Sequence, residues 1–70
     1  MINKKFQFIK DGKLYLIEED VVGWYLIVYE DKAHNKSLED YLVDTFEEAI
    51  FEAEDKFGIK RTDWVQINMN

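Results

Sequence analysis

The side chains best suited to moving a proton or holding a metal are one histidine, His34, and several adjacent carboxylates, Glu18-Glu19, Glu30-Asp31 and Glu39-Asp40. General acid–base work by an imidazole needs a neighbour that orients the ring, and Asp31 is the nearest acid in sequence. His34 sits in the polar stretch Glu30 to Lys36, however, and reads as an exposed loop residue. A calcium loop places oxygen ligands at alternate positions around a central glycine, and no carboxylate pair here has that spacing. Neighbouring acids on a strand also point to opposite faces, which defeats chelation by one pair. The three glycines are isolated, so no loop of backbone N–H groups can cradle a phosphate. With no cysteine, thiolate-held zinc and disulfides are both excluded. The residues therefore assign no catalytic group, no metal ligand and no cofactor, and the chain reads as a binding protein rather than an enzyme.

Phe51 carries the clearest signal for binding. Phe46, Ala49, Ile50, Ala53 and Phe57 recur at helical spacing and form one apolar stripe. At about 100° per residue, Phe51 points roughly 140° away from it. Its neighbours three and four positions away are Glu47, Glu48, Glu54 and Asp55, so four carboxylates surround an aromatic ring. Such a ring serves either as a contact site for a basic partner or as a local packing residue under the last strand or an N-terminal arm.

The charge distribution agrees with a basic partner. Residues 14–55 contain thirteen acids and only two bases, a net −11, while the remainder carries seven bases and two acids, a net +5. An acidic middle repels nucleic acid and anionic membrane and steers basic proteins toward itself; a plain solvated surface would have the same composition. The bases Lys4, Lys5, Lys10 and Lys13 on the first hairpin, with Lys60-Arg61 after the helix, read as charge balance rather than a nucleic-acid site. Same-face carboxylates along a strand repeat at about 6.6–6.8 Å, close to a phosphate spacing, so the acidic surface could imitate nucleic acid.

These groups need a scaffold. Seventy residues make a single domain, 1–70, near the lower limit for one hydrophobic core. The 47% apolar and 16% aromatic content supplies that core, and dimerisation would help so small a chain. The longest apolar run, Val21 to Tyr29, is nine residues, far short of the ~20 of a spanning helix. No secretory signal is visible, because Gln7 and Lys10 interrupt the apolar run after Lys4-Lys5. A soluble, cytoplasmic protein is expected, and frequent Lys, Ile and Asn beside a single Arg suggest an AT-rich bacterial or phage genome.

Phe6 to Ile9 and Leu14 to Ile17 flank Asp11-Gly12, a type I′ hairpin signal. That turn pairs Phe8 with Tyr15 and Phe6 with Ile17 on one face, with Ile9, Leu14 and Leu16 on the other. Both faces are apolar, so the hairpin does not say which one meets the helix. Glu18-Glu19-Asp20 reads as a charged connection. Trp24 to Tyr29, uncharged and β-branched or aromatic, predicts a central strand, since an exposed edge of that kind would aggregate. Leu38 to Val43 predicts a fourth strand. Thr45 is the expected helix N-cap, with Glu48 closing a capping box; Gly58 ends the helix and Ile59 packs back onto it. Trp64 to Met69 predicts a last strand, with a one-turn helix at Thr62-Asp63-Trp64 as an option. The order β-β-β-β-α-β describes an α+β domain: a mostly antiparallel four- to five-stranded sheet with one helix packed across a face.

The junction Asp44-Thr45-Phe46-Glu47-Glu48-Ala49 resembles the strand-to-helix step of HicB-type antitoxins, whose Gly-rich hairpin and Pro-containing strand have no counterpart here. From Tyr41 to Trp64 the chain is similar to small acidic bacterial proteins of the polymorphic-toxin immunity type. That resemblance implies neutralisation of a toxin domain by covering its basic active site. The expected function is thus a small acidic protein-binding domain, an immunity- or antitoxin-like inhibitor of a basic toxin or nuclease. Glu47, Glu48, Phe51, Glu54 and Asp55 form the expected partner surface. A homodimeric accessory or structural domain, held by sheet edges or exposed aromatics, is the alternative.

Overall fold

A computed structural model of the chain describes residues 4–31 and 37–67. His34 and Met69 lie outside the described residues, as does most of the expected Glu30–Lys36 loop. The strands are β1 (Lys5–Lys10), β2 (Lys13–Asp20), β3 (Gly23–Tyr29), β4 (Ser37–Val43) and β5 (Val65–Ile67). A helix, α1 (Phe46–Phe57), and one 3-10 turn (Arg61–Asp63) separate β4 from β5. The five strands form one antiparallel sheet in the order β4-β3-β2-β1-β5. The fold is α+β.

The first hairpin turns on two residues of positive φ, Asp11 at 54° and Gly12 at 80°, which match the right-handed twist of the flanking strands. Its register places Phe8 opposite Tyr15 and Phe6 opposite Ile17. The expected charged connection at Glu18 to Asp20 is instead the end of β2. Glu18 pairs with Tyr25, Glu19 with Trp24 and Asp20 with Gly23, leaving Val21-Val22 as the turn. Two polar contacts hold these acids in the strand: Lys5 Nζ lies 3.1 Å from the Glu18 carboxylate, and the Lys4 backbone N–H donates to Glu19 Oε1 at 3.3 Å. Gly23 makes the close approach to β4 possible, because a Cβ there would lie 2.3 Å from the Val43 carbonyl oxygen.

β3 is an interior strand between β2 and β4, as its uncharged sequence requires, although the middle of the sheet is β2. Thr45 caps α1 as expected: its hydroxyl oxygen accepts from the Glu48 backbone N–H at 3.1 Å. A cap of this kind stabilises a helix by about 0.5–2 kcal/mol. The Glu48 carboxylate returns to the Thr45 hydroxyl, at 3.4 Å. At the other end Gly58 takes the left-handed conformation, donating to the Glu54 carbonyl, and Ile59 donates to the Ala53 carbonyl. The Gly58 bond is that of an αL ending, and the turn brings Ile59 into the core, where it is buried.

The helix lies on the face that presents Phe6, Phe8, Tyr15, Ile17, Leu26 and Val28. Ala49, Ile50 and Ala53 are its buried contacts, the two alanines letting the helix sit low on the sheet. Aromatic rings seal the margins: Phe46 lies 4.9 Å from Phe6 and 5.1 Å from Trp24, and Phe57 lies 5.2 Å from Tyr15, centroid to centroid. Such pairs contribute roughly 0.5–1.5 kcal/mol beyond their area. In β5, Val65 and Ile67 alternate as expected, but they pair with Gln7 and Lys5 of β1 and so lie on the face away from the helix. That helix-free face also holds Ile9, Leu14, Leu16 and Ile27, and among the described residues no helix or strand lies over it.

Candidate functional site

The outer surface of α1 is set by the geometry that buries its inner one. With Ala49, Ile50 and Ala53 against the sheet, helical rotation turns Phe51 outward, and the residue is 65% exposed. Glu47, Glu48, Glu54 and Asp55 are all exposed on the turns beside it. Neither the 3-10 turn nor β5 covers the ring, so Phe51 is not a packing residue. An exposed apolar ring on a helix gains nothing from water and gives a partner a rigid anchor at low cost in side-chain entropy.

The four carboxylates are not equivalent. The Arg61 guanidinium reaches back from the 3-10 turn and pairs with Glu47, and this contact raises the Arg61 pKa above its ordinary value. Glu54 and Asp55 have no ion-pair partner among the described residues. Glu48 is engaged by the Thr45 cap. The strongest unneutralised charge beside Phe51 therefore lies on the C-terminal side of the ring.

A second polar group joins the helix to the edge of the sheet. The Tyr41 hydroxyl donates to the Glu39 carboxylate, which raises the phenol pKa above its ordinary value of 10.0. Lys56 Nζ sits 5.0 Å over the Tyr41 ring and 3.6 Å from Glu52. The Lys56–Glu52 contact has i, i+4 spacing and can be read from sequence. The Glu47–Arg61 pair spans fourteen positions across a chain reversal, and no local pattern announces it.

The other candidate groups do not converge. Across the sheet Glu18 and Asp40 lie on the helix-free face, while Glu19 and Glu39 lie on the helix side. Among the described residues no three His, Cys, Asp or Glu side chains gather where they could hold a metal ion. Lys5 and Arg61, two members of the expected basic group, are each tied to a carboxylate. No helix among the described residues is long and apolar enough to cross a membrane. Comparison with protein-family models, curated proteins and solved structures finds no match for this chain.

Proposed function

We propose that this is a protein-binding domain whose outer helix surface docks a basic partner, with Phe51 as anchor and Glu54 and Asp55 as the main steering charges. The observation that carries the reading is a phenylalanine 65% exposed among exposed carboxylates, on a helix whose ends and inner face are otherwise regular. An apolar centre ringed by polar groups is the arrangement of a binding hot spot. A uniformly acidic rim accelerates encounter with a basic surface and contributes less to holding it. In its specific form, the proposal is an immunity- or antitoxin-like role: the domain covers the basic active site of a toxin or nuclease in the bacterial cytoplasm.

The test is capture from lysate of the source cells with tagged chain and tagged Phe51→Ala, at low and high salt, read by mass spectrometry. A basic protein should be retained by the native chain, weakened by salt, and lost with Phe51→Ala. Expressed alone, that protein should arrest growth or degrade nucleic acid, and co-expression of the native chain should restore viability. Equal capture by both forms would remove Phe51 from the interface; a captured protein without toxicity would remove the inhibitory role.

A further inference from the structure

The tip of the first hairpin carries a peptide bond that can rearrange. We propose that Asp11-Gly12 is a site of spontaneous isoaspartate formation held in check by the folded turn, so that the modification marks chains whose first hairpin has opened.

Among the seven aspartates of the chain only Asp11 precedes a glycine. The other six precede Val, Lys, Tyr, Thr, Lys and Trp, and no asparagine precedes a glycine. The reaction brings the backbone nitrogen of the following residue onto the aspartate side chain, and a glycine, with no Cβ, hinders that approach least. Both residues are exposed at the hairpin tip, and a Cβ built on Gly12 would meet nothing within 4 Å. Solvent and a rearranged backbone therefore have room there.

The chemistry balances with solvent water alone. The Gly12 backbone nitrogen attacks Cγ of the neutral Asp11 carboxyl and forms an N–Cγ bond. The amide proton and the carboxyl hydroxyl leave as water, and a five-membered succinimide results. A water molecule then opens the ring at one of its two carbonyls. Addition at Cγ restores aspartate. Addition at the Asp11 backbone carbonyl breaks the original peptide bond and leaves the chain running through Cγ, which is isoaspartate. Nothing is oxidised or reduced, and the final mass is unchanged.

The closed turn opposes the first step. Asp11 has a φ of 54°, and a type I′ turn pairs that value with a ψ of about +30°. Adding the tetrahedral offset of about 120° puts the Gly12 nitrogen roughly 150° from Cβ about the Cα–C bond. Ring closure needs the two nearly eclipsed. Reaching that geometry rotates the Asp11-Gly12 peptide and breaks the Lys10–Lys13 pairing that closes the hairpin. Local opening of a strand end takes less free energy than global unfolding, so fraying of the tip is the route to reaction in the folded chain.

The product also disfavours reclosure. Isoaspartate adds a carbon to the main chain inside a two-residue loop, and loop length fixes hairpin register. Phe6 and Phe8 meet Ile17 and Tyr15 across this hairpin and pack into the core under the helix. A longer, differently shaped tip therefore weakens the pairing that positions those rings.

The full chain, incubated at 37 °C in mildly acid buffer with and without guanidinium, tests the proposal. Digestion with an endoprotease that cleaves before aspartate but not isoaspartate, read by mass spectrometry, locates the product and scores all seven aspartates at once. In the unfolded chain isoaspartate should accumulate at Asp11 ahead of the other six. In the folded chain it should form at least about 10-fold more slowly, as for a tip open less than a tenth of the time. Ile9→Ala removes the cross-strand contact with Leu14 nearest the turn. It should speed the reaction in the folded chain and leave the rate in guanidinium unchanged, while circular dichroism reports an intact fold. The isolated isoaspartate form should unfold at lower denaturant than the native chain. No product at Asp11 in the unfolded chain overturns the proposal, as does equal product at another aspartate. Equal rates in folded and unfolded chains, or an Ile9→Ala rate equal to native, would remove the turn as the restraint.

Discussion

Truncating Phe51 separates a binding residue from a folding residue. A phenylalanine side chain presents roughly 200 Å². With 65% of the residue still exposed, only about 70 Å² leaves water on folding, worth at most about 1.7 kcal/mol at 25 cal/mol per Å². Alanine returns about 0.5 kcal/mol in helix propensity. The expected net loss for Phe51→Ala is therefore about 1 kcal/mol, well below the 3–5 kcal/mol of a buried phenylalanine. In a domain of this size that is a fall in melting temperature of roughly 4–8 °C. Urea and thermal unfolding by circular dichroism measure it directly. The same protein titrated against a captured partner should show binding weakened by about 2 kcal/mol or more. A stability loss above about 3 kcal/mol would refute the geometry, and a small stability loss with unchanged affinity would refute the hot spot.

Charge reversal at Asp55 should slow association with a basic partner, more strongly at low salt, and leave dissociation nearly unchanged; stopped-flow kinetics at two ionic strengths checks it. Glu47 is the poorer choice, because reversal there also breaks the Arg61 pair. Gly23→Ala should destabilise the fold by about 2 kcal/mol or more, since φ is 150° and the added carbon would strike the Val43 carbonyl. Gly12→Ala has open space around it and only its positive φ to oppose it, so about 1 kcal/mol is expected there; denaturant midpoints rank the two. The Tyr41 phenol, donating to Glu39, should ionise above the ordinary value of 10.0. Because the folded value is raised, this contact stabilises the protein below the unfolded value and its contribution disappears as pH rises through the folded one. Ultraviolet difference titration should show one late-ionising tyrosine that moves down in Glu39→Gln; no late component would refute the contact.

Local backbone chemistry was the part of the fold legible in sequence. Asp11-Gly12, Thr45 and Gly58 each satisfy a short-range requirement, a positive φ or an orphan N–H, and each acts where expected. Glu18 to Asp20 misled because charge commonly marks a connection. Here pairing with Trp24 and Tyr25, and salt bridging to Lys5, outweigh that preference. The face bearing the helix could not be chosen from the first hairpin, since both sides are apolar, and contacts from distant Phe46 and Phe57 decide it. For the candidate site, helical periodicity sufficed to turn Phe51 outward. Whether another element covered it depended on where β5 attaches, and the link from Arg61 to Glu47 depended on the chain reversal after Gly58.

The placement of β5 outside β1 has a kinetic consequence. β1 to β4 form a meander of neighbouring hairpins, each closing a short loop, whereas β1 and β5 join residues near opposite ends of the described chain. Contacts that close long loops form late, because their entropy must be overcome before they gain anything. The meander and the docked helix should therefore assemble first, with the three residues of β5 zipping onto an already formed β1. During synthesis the edge of β1 stays open until Val65–Ile67 leaves the ribosome. In the finished protein the same strand should be the first to detach, so amide exchange should run faster at Gln66 than anywhere in β2.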